Sequence, residues 1–221
     1  MTATFITATG TDIGKTFLAA GMIRYFRDGR IPVDALKPVA TGFDDDAPEW
    51  TDTAVLLGAL GRRTTPEEIE RVSPFRFAAP LSPDMAARRE RRKLDFGELL
   101  EFSRRAVQNH EGQMLIEGVG GIMVPLDTQH TVLDWMMAIN RPVVLVAGSY
   151  LGSISHTLTC LDALTKRSLA VKALVVNETQ GSTVPLTETV ETMRRFARDI
   201  PVFSMPRLAP GITEHPTFGK V

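Results

Sequence analysis

The chain has one cysteine and no surplus of charge of either sign. Cys160 stands alone among 221 residues, which excludes an internal disulfide framework and any zinc or iron–sulfur site built from several thiolates. Its 25 Lys and Arg face 26 Asp and Glu, so the formal net charge is −1. A protein that coats nucleic acid carries a surplus of basic residues, so nucleic acid is not an expected partner.

Long apolar runs are missing as well. No stretch approaches the ~20 apolar residues that cross a bilayer, so no membrane partner is expected. The N-terminal segment lacks the basic residues, the long apolar stretch and the small-residue cleavage site of a secretory signal, and we therefore expect a cytoplasmic location. Hydrophobic residues make up 43% and charged residues 23%, which excludes wholesale disorder and suits a domain with a sizeable core.

Short β-rich apolar runs alternate with longer helical patterns, which is typical of an α/β protein with a parallel sheet. Predicted strands cover residues 4–7, 33–39, 114–117, 142–147, 170–177 and 200–203. Predicted helices cover residues 15–28, 131–140, 151–164 and 187–197. Two strands are almost continuously aliphatic, so we expect helices on both faces of a mainly parallel central sheet.

No internal repeat or linker divides the chain, and we expect one domain over residues 1–221. Residues 41–110 are longer and more polar than a crossover needs, and they predict a helical elaboration with helices starting near Thr51 and Asp95. Residues 207–221 show only weak periodicity and predict a C-terminal tail.

The strongest chemical pattern is A-T-G-T-D-I-G-K-T at residues 8–16, between the first strand and the first helix. Such a loop directs backbone N–H groups and a helix N-terminus at one point, which suits a polyphosphate. Lys15 can neutralise β- and γ-phosphate charge, and the Thr16 hydroxyl can ligate Mg²⁺. Thr9 stands where the strict pattern has glycine, so the loop is a variant. A tight strand-to-helix turn without a ligand remains an alternative.

A series of further motifs follows in order along the chain. They are K-P-V-A-T-G at 37–42, T-D-T-A-V-L at 51–56, P-L-S-P-D-M-A-A at 80–87, E-G-V-G-G at 117–121 with Pro125, L-G-S-I-S-H at 151–156, and Asn177. Together with the phosphate loop, this order resembles the ATP-dependent dethiobiotin synthetases, P-loop enzymes of biotin biosynthesis. Departures from the family pattern fall at Ala8, Gly10, Asp84 and Ser155.

The resemblance implies a P-loop fold and a defined reaction. In that family ATP, CO₂ and diaminopelargonate give the cyclic urea dethiobiotin, ADP and phosphate. One amine forms a carbamate, the γ-phosphoryl group moves to the carbamate oxygen, and the second amine attacks the mixed anhydride. Such chemistry needs charge neutralisation, a metal and precise placement of two amines, and it requires no protein nucleophile.

The resemblance also implies roles for individual residues. The expected Mg²⁺ ligands are Thr16, Asp52 and Glu117, which supply the oxygen atoms that this ion prefers. The expected catalytic contacts to carbamate and phosphate are Lys37, Lys15 and Thr11. The expected ATP contacts are Asp12, Ile13, Gly14, Lys15, Thr16, Phe17, Asn177 and Pro206, with Asn177 reading adenine. The expected substrate contacts are Thr41 and, across a homodimer interface, Gly152, Ser153, Ile154 and Ser155.

Plainer roles stay open for several of these residues. Asp52 can be a helix N-cap, Glu117 a cap acceptor, and Gly152 the start of an ordinary helix. Two other functions stay open as well. One is a nucleotide-switch ATPase of the partitioning type, although positions 8–13 lack the early lysine usual in such loops. The other is a different ATP-dependent amide- or urea-forming ligase, suggested by Asp84 and Ser155.

Overall fold

The computed structural model describes residues 2–209 and 211–221. Its strands are β1 (Thr2–Ala8), β2 (Val33–Leu36), β3 (Val39–Thr41), β4 (Phe75–Phe77), β5 (Gln113–Glu117), β6 (Val143–Gly148), β7 (Val171–Asn177) and β8 (Val202–Met205). Its α-helices are α1 (Lys15–Asp28), α2 (Asp52–Ala59), α3 (Pro66–Val72), α4 (Pro83–Arg89), α5 (Phe96–Asn109), α6 (Val132–Ile139), α7 (Ser153–Lys166) and α8 (Leu186–Phe196).

Six parallel strands form the central sheet in the order β2-β5-β1-β6-β7-β8. One face packs against α5 to α8, and the other against α1, α2 and α3. On the first face Trp135 is fully buried and meets the Phe5 ring edge-on at 4.8 Å, while its indole N–H donates to Ser103 Oγ. The expected α/β class, with helices on both faces of a parallel sheet, is confirmed.

The predicted strand at 33–39 is wrong in its second half. Strand β2 ends at Leu36, and β3 pairs with β4 in a separate two-stranded parallel sheet. Pro38 has no N–H to donate to a ladder, so the chain leaves the sheet at this point. The Pro38 carbonyl instead accepts from the Phe75 N–H at 3.0 Å. Lys37 is the first residue after β2, and its N–H donates to the Val72 carbonyl at 3.0 Å instead of to a neighbouring strand.

The segment 41–110 carries α2 to α5 together with β4, and its helices start at Asp52 and Phe96, each capped by the residue before it. In the predicted tail, Pro210 lies outside the described residues. A short 3₁₀ turn at Pro216–Gly219 lies on α1, with Phe218 buried, and Thr217 Oγ1 donates to the Ser204 carbonyl at 2.9 Å. None of the helices in the described part of the chain has the length and apolar character of a bilayer crossing.

Candidate active site

The phosphate loop joins β1 to α1 at the carboxyl edge of the sheet. Gly14 precedes α1 with φ +99°, a left-handed conformation that favours glycine. It has no side chain that could cap the helix, and the first turn of α1 holds no acidic residue. The free N–H groups at this helix start are therefore available to an anion. Lys15 is 7% exposed, and its ammonium donates to the Gly10 carbonyl at 3.1 Å across the loop.

A charged cluster, buried except for Asp52, lies beside the loop. Because β2 and β5 are neighbours, Lys37 after β2 and Glu117 at the end of β5 meet at the same sheet edge. The Lys37 ammonium donates to Glu117 Oε1 at 2.7 Å and also to Asp52 Oδ2. Glu117 Oε1 accepts a second hydrogen bond from Thr16 Oγ1 at 2.6 Å. Four elements of the chain thus supply one connected cluster.

The electrostatics keep this cluster charged. Burial disfavours a charged Lys37, but the Glu117 and Asp52 carboxylates outweigh it and raise the pKa of Lys37. Burial likewise opposes a charged Asp52, and the Lys37 ammonium outweighs that effect, so the pKa of Asp52 is lowered. Burial, with a smaller contribution from Lys37, lowers the pKa of Lys15 to about 8, although Glu117 acts in the opposite direction. Lys37 is therefore a fixed ammonium rather than a base.

The cluster has the oxygen atoms that a Mg²⁺ ion prefers. Glu117 is 1% exposed, and its Oε2 atom is buried without a hydrogen-bond partner among the described residues. Such an orphaned carboxylate oxygen is costly unless a ligand or cation meets it. The Asp52 side chain is 54% exposed and opens toward the cleft. No group of three or more His, Cys, Asp or Glu side chains is assembled in the described ranges. A cation here would therefore also need the Thr16 hydroxyl, phosphate oxygens or water.

One cleft of about 700 Å³ opens on the loop and the cluster. It is lined by many of the predicted site residues, namely Thr11, Asp12, Gly14, Lys15, Thr16, Lys37, Thr41 and Asp52. It is also lined by residues that received no role from the sequence, namely Gly42, Pro80, Leu81, Ser82, Pro83, Val119, Gly120 and Val124. The motifs at 37–42, 80–87 and 117–125 contain all of these residues. The sequence therefore pointed to these segments but gave these particular residues no role.

A second, smaller cleft of about 280 Å³ lies on the other side of the loop. Phe17, Asn177 and Pro206, three of the expected ATP contacts, line it together with Glu178, Arg207 and Leu208. The Asn177 amide donates to the carbonyl of Ile13 at 2.9 Å. This contact to the phosphate loop was not predicted.

The residues at 152–155 are not brought to either cleft. Gly152 has φ +95° and precedes α7, whose first residue, Ser153, is buried with an unpartnered Oγ among the described residues. Leu151 is 87% exposed just before this helix start. Within one copy of the chain these residues are therefore separate from Lys37 and the phosphate loop.

The fold and the loop together define a class of protein. A parallel sheet with a glycine-containing loop after its first strand and a Lys-Thr pair opening the next helix is typical of the P-loop nucleotide-binding proteins. A family model described as an AAA domain matches residues 2–209. The signal recognition particle receptor FtsY from Elizabethkingia anophelis has a similar structure, with a TM-score of 0.51 and 13% identity over 94% of this chain. The same receptor in complex with GDP gives a TM-score of 0.54. This chain spans about 59% of that receptor's length, and the likeness concerns the fold alone.

Sequence relatives narrow the class to one family. The chain is 48% identical over 202 residues to the ATP-dependent dethiobiotin synthetase BioD of Acidiphilium cryptum, covering 90% of this chain and 91% of the relative. It is 43% identical to the protein of the same name from Phenylobacterium zucineum, covering 94% and 89%. The corresponding protein of Caulobacter vibrioides is 44% identical, covering 94% and 93%. The chain belongs to the ATP-dependent dethiobiotin synthetase family.

Proposed function

We propose that this chain is a ligase that joins diaminopelargonate and CO₂ to form dethiobiotin at the expense of ATP. The observation that carries this function is the Lys37–Glu117–Asp52 cluster beside a phosphate loop, at the base of a cleft open to small molecules. Neither a partitioning-type ATPase nor another amide-forming ligase is favoured, because relatives at 43–48% identity over most of the chain are dethiobiotin synthetases.

Each step of the reaction has a residue suited to it. The loop N–H groups and Lys15 hold the β- and γ-phosphates. The fixed ammonium of Lys37 stabilises the anionic carbamate and the transferring phosphoryl group, with Thr11 and Thr41 as hydrogen-bonding neighbours in the same cleft. The carbamate oxygen bonds to the γ-phosphorus as the bond to ADP breaks. The second amine then attacks the carbamate carbon, loses its proton and expels phosphate.

We propose Mg²⁺ as the required metal, held by Thr16, Asp52 and Glu117. Two observations support this site: Glu117 Oε2 has no hydrogen-bond partner among the described residues, and the Asp52 carboxylate is half-exposed. The ion would neutralise phosphate charge during the transfer. The loop and the start of α1 would contact ATP through Asp12, Ile13, Gly14 and Phe17. The adenine base would be contacted by Asn177 and Pro206.

We propose that the working protein is a cytoplasmic homodimer. Residues 152–155 would hold the carboxylate tail of a substrate bound in the other copy's cleft, because a helix N-terminus favours an anion and this one does not line its own cleft. Mixing Lys37→Met protein with Ser155→Glu protein tests this idea, since each mixed dimer retains one intact site. Random exchange of copies would restore about a quarter of the wild-type activity. No recovery would contradict a shared site.

The direct test of the function uses labelled bicarbonate. Purified protein receives diaminopelargonate, ATP, Mg²⁺ and ¹³C-bicarbonate, and mass spectrometry follows the product. The expected product is dethiobiotin carrying one labelled carbon. Consumption of ATP without labelled dethiobiotin would overturn the proposal.

A further inference from the structure

Asn177 contacts the phosphate loop more closely than a residue that only reads a base needs to. Its Nδ2 atom donates to the Ile13 carbonyl at 2.9 Å, between residues 164 positions apart. The next residue, Gly14, lies directly beneath this side chain, because a Cβ built on Gly14 would be 2.2 Å from Nδ2 and 3.2 Å from Cγ. The amide therefore packs on the peptide at which the loop turns into α1.

The backbone of Asn177 is the rigid partner in this contact. Asn177 ends β7 and pairs with Gly148 on β6 and Met205 on β8. Just beyond it, the Ser149 N–H donates to Thr179 Oγ1 and the Thr179 N–H donates to Ser149 Oγ, both at 3.0 Å. The sheet and this reciprocal pair hold Asn177 on both sides. Loop residues 10–14, by contrast, have no strand pairing with any described residue, since the last pairing to β6 is that of the Thr9 N–H with the Val146 carbonyl.

The contact has a consequence for phosphate binding. In a trans peptide the carbonyl of Ile13 and the N–H of Gly14 point in opposite directions. A hydrogen bond that holds this carbonyl toward Asn177 therefore turns the Gly14 N–H away from it. Gly14 lines the 700 Å³ cleft on the other side of the loop, where the phosphates are proposed to lie. The Asn177 side chain, which lines the 280 Å³ cleft, thus sets the direction of the Gly14 N–H toward the phosphates.

We propose that Asn177 is a positioning residue of the phosphate loop, in addition to any contact it makes with adenine. This inference rests on the proposed function, since it requires the loop to bind the triphosphate of ATP. It assigns to Asn177 an effect on ligands that have no base at all. A residue that reads adenine and nothing else has no such effect.

The test compares Mg²⁺–ATP with Mg²⁺–inorganic triphosphate by isothermal titration calorimetry. Loss of one hydrogen bond predicts that Asn177→Ala weakens the binding of inorganic triphosphate by about fivefold, and that of ATP by at least as much. The matched control is Pro206→Ala. Pro206 lines the same 280 Å³ cleft but has no hydrogen bond to the loop in the described structure, so the variant is expected to leave inorganic triphosphate binding unchanged. An Asn177→Ala protein that loses affinity for ATP alone overturns the proposal. A wild-type protein that binds neither ligand refutes the proposed function instead.

A second readout needs no ligand. Hydrogen exchange of amides 10–16 in the nucleotide-free protein is expected to be faster in Asn177→Ala than in wild type, because the loop has lost its side-chain contact to the end of β7. Asn177→Asp keeps the side-chain shape but cannot donate when ionised, so it should show the same change and decides alone if the alanine variant does not fold. Unchanged loop exchange in a folded Asn177→Asp protein contradicts the positioning role.

Discussion

The two ends of the nucleotide site are built on different principles. At the phosphate end, Lys15, Lys37 and Glu117 are each less than a tenth exposed. Lys37 is paired with Glu117, whereas Lys15 donates to the Gly10 carbonyl of the loop. At the base end, Asn177 already donates to the phosphate loop, and Glu178 Oε2 accepts from the Arg207 N–H at 2.8 Å. Burying a charged side chain is unfavourable unless it is paired. Three buried charged side chains in one place therefore indicate a functional role. We infer that the phosphate end supplies most of the free energy of ATP binding. We also infer that it supplies all of the stabilisation of the negative charge on the phosphates and the carbamate.

The largest expected effect is that of Lys37→Met, which removes the central cation of the cluster. Turnover with diaminopelargonate should fall by roughly 100- to 1,000-fold, the scale of losing one preorganised charge donor. The free energy of unfolding should also fall by about 3 kcal/mol, because Glu117 is left buried without its ammonium partner. Turnover is measured by ADP release and stability by urea unfolding.

The matched control for that variant is Lys166→Met on α7. Lys166 also has an acidic partner, Asp162, at 2.8 Å, but both side chains are exposed. Its loss should change the free energy of unfolding by less than about 0.5 kcal/mol and leave turnover near wild type. Equal effects from the two lysine variants would remove the distinction between a buried functional cluster and ordinary surface charge.

The next effect is that of Lys15→Ala, which acts on phosphate without breaking the ion pairs of Lys37. Loss of a charged hydrogen bond of about 1.5–3 kcal/mol predicts that ATP turnover falls roughly 10- to 150-fold. Steady-state kinetics over a range of ATP concentrations measure this change. Unchanged turnover would show that the ammonium does not contact the nucleotide.

A smaller effect is the pH dependence of nucleotide binding. The pKa of Lys15 is lowered to about 8 in the free protein, whereas a bound triphosphate favours the charged form and raises it. Above pH 8, binding must therefore take up a proton, and affinity should fall toward roughly tenfold per pH unit. Titration calorimetry at pH 8.5 in two buffers of different ionisation enthalpy measures that uptake. Lys15→Ala should abolish it, and an affinity that stays flat from pH 7 to 9 contradicts the assignment.

The smallest effect is expected at the base end. Pro206→Ala removes apolar contact in the 280 Å³ cleft and should weaken ATP binding by only about twofold, as is usual away from buried networks. Fluorescence competition with a labelled nucleotide measures it. A loss as large as that of Lys15→Ala would mean that the base end contributes as much as the phosphate end.

Sequence patterns predicted those features that are formed by residues close together along the chain. The loop at 8–16 and helix α1 followed from glycine placement and helical spacing, and α1 has the predicted bounds. The prediction of a strand over 33–39 was wrong because it rested on the apolar run and gave too little weight to Pro38. Proline has no backbone N–H, so the break in the strand could have been read from the sequence. The meeting of Lys37 with Glu117 depends on β2 lying beside β5, and the Asn177–Ile13 contact joins distant ends of the chain. Neither follows from spacing along the sequence.

The phosphate end is expected to transfer the γ-phosphoryl group of ATP only to a carbamate formed on the substrate. The most direct measurement is ADP release from Mg²⁺–ATP and bicarbonate, with and without diaminopelargonate, for wild type and Lys37→Met. We predict rapid release by wild type that depends on the diamine, and slow release by Lys37→Met under both conditions. Release by wild type at the same rate without the diamine would contradict the account.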